Sequence, residues 1–138
     1  MSAILVDFKN TYQVSAGLNP DTYTTSQNGT GVDFQPTDGQ CFAILQVKSH
    51  DRADGDETLA VKVQESDDNS TFTDVSGGGF TTISTATGAA VQVINFTRTK
   101  RYLRAVSMAA GTTPSDKFGV IFFSRKKISG SGAGSQVT

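Results

Sequence analysis

Leu59, Val61 and Val63 alternate with Lys62 and Gln64, and this period of two runs until Ser66-Asp67-Asp68-Asn69-Ser70 breaks it. Successive side chains of a strand point to opposite faces, so the pattern predicts a half-exposed β-strand. Asp, Asn and Ser supply the turn chemistry. Thr71–Val75 then resumes as the second arm of a hairpin, and a later strand opens at Arg101-Tyr102-Leu103-Arg104. No catalytic chemistry lies on this stretch.

The remaining segments repeat the theme. Cys41–Lys48 is a nearly continuous apolar run and predicts a central strand buried on both faces. Phe118-Gly119-Val120-Ile121-Phe122-Phe123 is apolar throughout and predicts a second central strand. In Ala90–Phe96, Val91 and Val93 share one face while Ile94 and Phe96 share the other, which predicts cover on both faces or a bulge. Gly77-Gly78-Gly79 allows a bulge or a sharp corner before Phe80–Ile83. Helix formers are scarce, and only Glu57 and Glu65 among the acids are glutamates. Thr, Val and Phe favour pleated strands, and Asp, Asn, Ser and Gly favour turns. The expected fold is all-β, an antiparallel β-sandwich of jelly-roll type.

A chain of 138 residues suits a single domain able to bury a sizeable core. Residues 1–39 read as an extended, loop-rich N-terminal arm. Its weak strands, Ile4–Phe8 and Thr11–Val14, would pair on the edge of the body. Residues 40–128 form the sandwich body, and residues 129–138 a flexible Gly/Ser tail.

Several function classes fall away. The formal net charge is −1, so no overall basic field exists to hold nucleic acid. Two basic clusters remain, Arg98, Lys100, Arg101 and Arg104, and then Arg125-Lys126-Lys127. Tyr102 is the one aromatic interleaved with them, which fits a strand end facing solvent or an acidic partner better than a nucleic-acid groove. The single cysteine, Cys41, lies in an apolar run and reads as a buried, inert thiol. The N-terminus has no basic start, and no run approaches the roughly 20 apolar residues of a membrane helix. Synthesis in a cytoplasm without a signal peptide is expected. Asp51, Asp54, Asp56 and Glu57 crowd around Gly55, but their spacing does not match the calcium-binding helix–loop–helix motif, and an inter-strand loop accounts for them. His50 is the only histidine, and no nucleophile elbow, metal-binding histidine pair or phosphate-cradling loop accompanies it. No enzyme activity and no cofactor are expected. The chain has no Trp to build a sugar platform.

Two segments carry a resemblance. Leu59-Ala-Val-Lys-Val-Gln-Glu-Ser-Asp-Asp-Asn-Ser-Thr-Phe-Thr-Asp-Val75 and Thr99-Lys-Arg-Tyr-Leu-Arg-Ala-Val106 resemble the capsid cement (head decoration) proteins of tailed bacteriophages. That resemblance implies a structural virion protein on the outer surface of the capsid. Its partners would be the major capsid protein and a second copy of itself, a homodimer being favoured over a trimer. The pattern also resembles other sandwich modules, and a carbohydrate-binding module of a phage tail or baseplate is the alternative. No nucleic-acid or membrane partner is expected. Ile4, Leu5, Val6 and Phe8 form the only apolar cluster of the arm, so they are expected to add to an exposed strand edge on a neighbouring subunit. Arg98, Lys100, Arg101 and Arg104 are the second candidate contact.

Overall fold

Alternating side chains commit this chain to strands wherever its apolar residues recur, and the computed structural model shows how they pair. It describes residues 7–84 and 89–127. A single helical turn, α1 (Phe8–Thr11), precedes β1 (Tyr12–Tyr23), β2 (Gln27–Asn28), β3 (Val32–Asp33) and β4 (Thr37–His50). There follow β5 (Thr58–Ser66), β6 (Thr73–Gly79), β7 (Ala90–Thr97), β8 (Tyr102–Ala110) and β9 (Asp116–Lys126). The first half of the chain pairs antiparallel with the second, β1 with β9, β2 and β3 with β8, β4 with β7, and β5 with β6. That ribbon wraps into two sheets. Sheet A has the order β1-β9-β4-β7, and sheet B has the order β2-β8-β5-β6 with β3 beside β8. The winding is that of a jelly roll.

Between the sheets lies one core. Sheet A turns Cys41, Ala43, Leu45, Val47, Phe118, Val120 and Phe122 inward, and sheet B answers with Leu59, Val61, Val63, Leu103 and Ala105. Phe34, on the loop after β3, is fully buried and meets the Phe122 ring edge-on at 6.1 Å. The β5 alternation is as the sequence predicts, with Leu59, Val61 and Val63 in the core. The triple glycine makes a bulge. Lys62 pairs with Gly79 while Gln64 pairs with Asp74, and Gly77 takes the left-handed φ of 76° that the irregularity requires.

Two expectations are corrected, those for β4 and β7. β9 is a central strand as expected, and β4 is central too, but like β9 it is buried on one face only. Phe42 and Ile44 are half-buried on the other face, and Ile121 keeps 42% of its surface exposed. A two-layer antiparallel sandwich has a single interior, so it supplies no second cover for a central strand. β7 pairs with β4 in unbroken register from Gln40↔Thr97 to Val47↔Ala90, with neither a bulge nor cover, and leaves Val91 and Val93 exposed.

In the first forty residues, Phe8, the end of the expected Ile4–Phe8 strand, opens a helical turn (Phe8–Thr11) with Asp7 as its N-cap, and the expected Thr11–Val14 strand falls largely in β1. β1 then runs along β9 as an edge strand, shifting register on either side of Leu18, which enters the core. Ile4, Leu5, Val6 and residues 129–138 lie outside the described residues. Among the described residues no helix is long and apolar enough to cross a membrane.

Candidate functional site

Strand register places the outward side chains of sheet A in rows across its four strands. One row is Val14, Phe123, Phe42 and Asn95, and the next is Ala16, Ile121, Ile44 and Val93. Val14, Val91 and Val93 are each more than half exposed. No charged side chain interrupts these two rows.

At one end of the face, aromatic rings gather. Phe42 and Phe123 stack at 5.1 Å, and Phe8 stacks on Tyr12 at 4.7 Å. Phe8 also meets Phe123 edge-on at 5.7 Å, so α1 lays its one aromatic residue on this corner and leaves 46% of it exposed. At the other end the face sinks. Gly119 has no side chain to present, and Pro20 sits 3.0–3.1 Å from where its Cβ would be. The result is an open groove of about 410 Å³ between Pro20, Ile44, Gln46, Lys48, Lys117 and Ile121. Phe8 is thus the one described member of the apolar cluster that the sequence singled out, and it lies on a sheet face.

Arg98, Lys100, Arg101 and Arg104 lie elsewhere, and the three arginines already have partners. Arg98 donates to the Thr37 carbonyl at 2.7 Å and to the Lys100 carbonyl at 3.0 Å. Arg101 pairs with Asp33 at 2.7 Å, which strengthens the guanidinium and holds the Asp33 carboxyl below its ordinary value. Arg104 donates twice to Gln64 Oε1 and stacks over the Phe72 ring at 4.2 Å. These arginines brace sheet B and its approaches. Together with the Lys62–Asp74 ion pair at 3.0 Å they make its outer face a polar lattice.

Three buried acids do structural work that the sequence left unseen. His50 Nδ1 and Asp116 Oδ1 are 2.6 Å apart and join β4 to β9, while His50 Nε2 lies 3.3 Å from the Glu57 carbonyl. Glu57 is fully buried and accepts from the Asp54 and Asp56 amides, so its side chain folds the inter-strand loop from within. Glu65 accepts from the Thr99 amide and hydroxyl and from the Lys100 amide, closing the β7–β8 turn. Burial pushes the Cys41 thiol up, in keeping with an inert thiol. Among the described residues no three acid, His or Cys side chains group as metal ligands.

Tyr12, Val14, Phe42, Val91, Val93, Ile121 and Phe123 are candidate contact residues that sequence reasoning missed. A signal was present. Strands apolar at successive positions, in a chain too short for a third layer, must turn one apolar face outward.

Residues 21–122 match the sequence model of the Bbp16 family. Two solved structures are similar in fold. PBSX exported protein XepA aligns with a TM-score of 0.52 and 15% identity, over 99% of this chain and 44% of its own. SPBc2 prophage-derived protein YomS aligns with a TM-score of 0.50 and 11% identity, over 90% of this chain and 100% of its own. This chain therefore spans less than half the length of XepA. No curated protein sequence matches.

Proposed function

The chain belongs to the Bbp16 family, and on that premise we propose that it is a structural protein of a tailed-phage virion, a cement protein that sits outside the head and bridges neighbouring major capsid subunits. The observation that carries this reading is the outer face of sheet A, an apolar surface spanning four strands, opposite a sheet whose Lys62, Asp74 and Arg104 are paired with neighbours. Apolar area of this extent is stabilised only when covered. A protein whose open surface is adhesive acts by joining an assembly. The resemblance of Leu59–Val75 and Thr99–Val106 to cement proteins supports the head in particular, and the likeness in fold to two prophage proteins supports a phage origin.

Turnover has little support. The buried His50–Asp116 pair has the geometry of a base and its orienting acid, but the second imidazole nitrogen faces a backbone carbonyl rather than a hydroxyl or thiol. The test is a reconstruction of particles carrying the protein. Density outside the shell at contacts between capsomers is expected, together with earlier heat-induced DNA release from particles lacking it. Density confined to the tail or the lumen overturns the cement reading, and consistent hits on a glycan array would favour the tail-module alternative.

A further inference from the structure

We propose that the outer face of sheet A is where two copies of this chain pair, sheet against sheet about a two-fold axis across the strands. The aromatic corner of each copy then enters the groove of the other. This takes up the face on which the cement reading rests and assigns its cover to a second copy, leaving capsid contacts to the other surfaces of the pair. It stands whether the protein occupies the head or the tail.

Size is the first argument. Four strands spaced about 4.8 Å apart, over the nine residues from Gln40 to Lys48 at about 3.4 Å each, give a face of roughly 500 Å² in projection. Side-chain relief raises its accessible area toward the about 800 Å² that each partner contributes to a stable complex. Composition is the second. The middle of the face is aromatic and aliphatic with no charge, as in the buried centre of an interface, while Asp21, Lys48 and Lys117 stand at one margin and Arg125 at the other.

Self-complementarity is the third argument, and it selects a second copy over a different protein. Phe123 and Gly119 are four residues apart on β9, so knob and groove lie about 14 Å apart on one face, on opposite sides of the Ile121–Ile44 row. A two-fold axis along that row leaves each strand over its counterpart and reverses its direction. The row of Phe123 and Phe42 then faces the row of Gly119 and Gln46. One operation fills both grooves, which is the property of an isologous interface. It also brings Lys117 over Arg125 of the other copy at the exposed rim, with the Phe8–Tyr12 rings beside them. Salt should screen that like-charge contact, so pairing should tighten as ionic strength rises.

Sedimentation velocity of the full chain at micromolar concentration should show twice the 14.5 kDa chain mass. Val93→Asp should raise the dissociation constant about 100-fold or more, because a carboxylate would be buried without a partner. Val93 is 61% exposed, so the thermal melt of the dissociated variant should remain a single folded transition. Phe8→Ala and Gln46→Trp, which trim the aromatic corner beside Phe123 and fill the groove, should each weaken pairing by roughly tenfold. Lys62→Ala, on the outer face of sheet B, should leave it unchanged. The proposal is overturned by a wild type that stays monomeric, or by a Val93→Asp variant that pairs like wild type. It is equally overturned if Lys62→Ala dissociates the dimer while Val93→Asp does not. A monomeric wild type whose Val93→Asp variant loses capsid binding would assign the face to the capsid instead. Pairing that is sensitive to Val93 but indifferent to both Phe8→Ala and Gln46→Trp overturns the knob-and-groove geometry.

Discussion

The two sheets share one core and differ in what they turn outward. Sheet B faces out largely with polar groups that meet neighbours, Lys62 and Gln64 on Asp74 and Arg104 on Gln64 and the Phe72 ring, and it leaves Met108 43% exposed. Sheet A faces out with Val14, Phe42, Ile44, Val91, Val93, Ile121 and Phe123. Its charged side chains, Asp21, Lys48, Lys117 and Arg125, stand at the margins, and one polar pair is hidden. His50 and Asp116 are paired at the end of β4, with side chains 0% and 1% exposed. Sheet B is finished within the chain, whereas sheet A is finished only when something covers it.

The comparison can be broken most severely from inside, where the two sheets depend on each other. Phe122 is fully buried against Phe34, so Phe122→Ala should cost about 3–5 kcal/mol and lower Tm by roughly 10–20 °C. Both sheets should melt in one transition. Hydrogen exchange that lost one sheet while the other stayed protected would show that the core is not shared. Next comes the hidden charge of sheet A. His50→Ala strips the Asp116 carboxylate of its ring partner and leaves it the Asp51 amide at 3.2 Å, while Oδ2 already lacks a hydrogen-bond partner. A loss of about 3 kcal/mol in denaturant unfolding is expected. A loss under about 1 kcal/mol would place His50 among ordinary surface contacts.

The outer faces should respond in opposite ways to a change of polarity. Val91→Thr with Val93→Thr should shift the stability of the folded chain by less than about 1 kcal/mol, since neither residue touches the core, but should weaken association. Lys62→Val with Gln64→Val removes the ligands of Asp74 and gives sheet B an apolar stripe. That double variant should gain concentration-dependent association where the wild-type face has none. Unchanged sedimentation of both double variants would mean that outward polarity does not govern assembly.

How far the sequence displayed this contrast depends on the strand. β5 is legible because its polar positions announce a solvent face, and the jelly-roll winding follows from many short strands with turn chemistry between them. β4 and β9 are legible as central strands, but the continuous apolar run of β4 suggests two covers inside the chain where the fold supplies one. Periodicity reports that a face avoids water and is silent on whose surface will cover it. The arginines of residues 98–104 failed as a signal for the opposite reason. Charge in sequence suggests availability, and here Asp33, Gln64, Thr37 and a ring absorb it. Glu57 and Glu65 were illegible because their partners are backbone amides, which every residue but proline has.

The smallest expected effect is also the most selective between the two faces. Asp68 closes the β5–β6 hairpin by accepting from the Ser70 and Thr71 amides and the Ser66 hydroxyl, bonds that bring its pKa down to about 2. Gln64 and Lys62 likewise lower that of Asp74, and Arg101 that of Asp33. A carboxyl held lower in the folded chain than in the unfolded one adds stability above the unfolded value of about 4, and that stability is lost as pH falls through the folded value. Acid between about pH 4 and pH 2 should therefore loosen the outer face and hairpin of sheet B, where all three act. The central rows of sheet A carry no carboxylate to protonate. Because these groups are solvent-exposed the effect should be modest, seen as faster amide exchange at Ser70, Thr71 and the β5–β6 pairing before any global melt. Asp68→Asn should reproduce the hairpin part at neutral pH. Equal acid sensitivity of β4–β7 amides and β5–β6 amides would remove the distinction between a sheet stabilised by displayed carboxylates and one whose central rows are apolar.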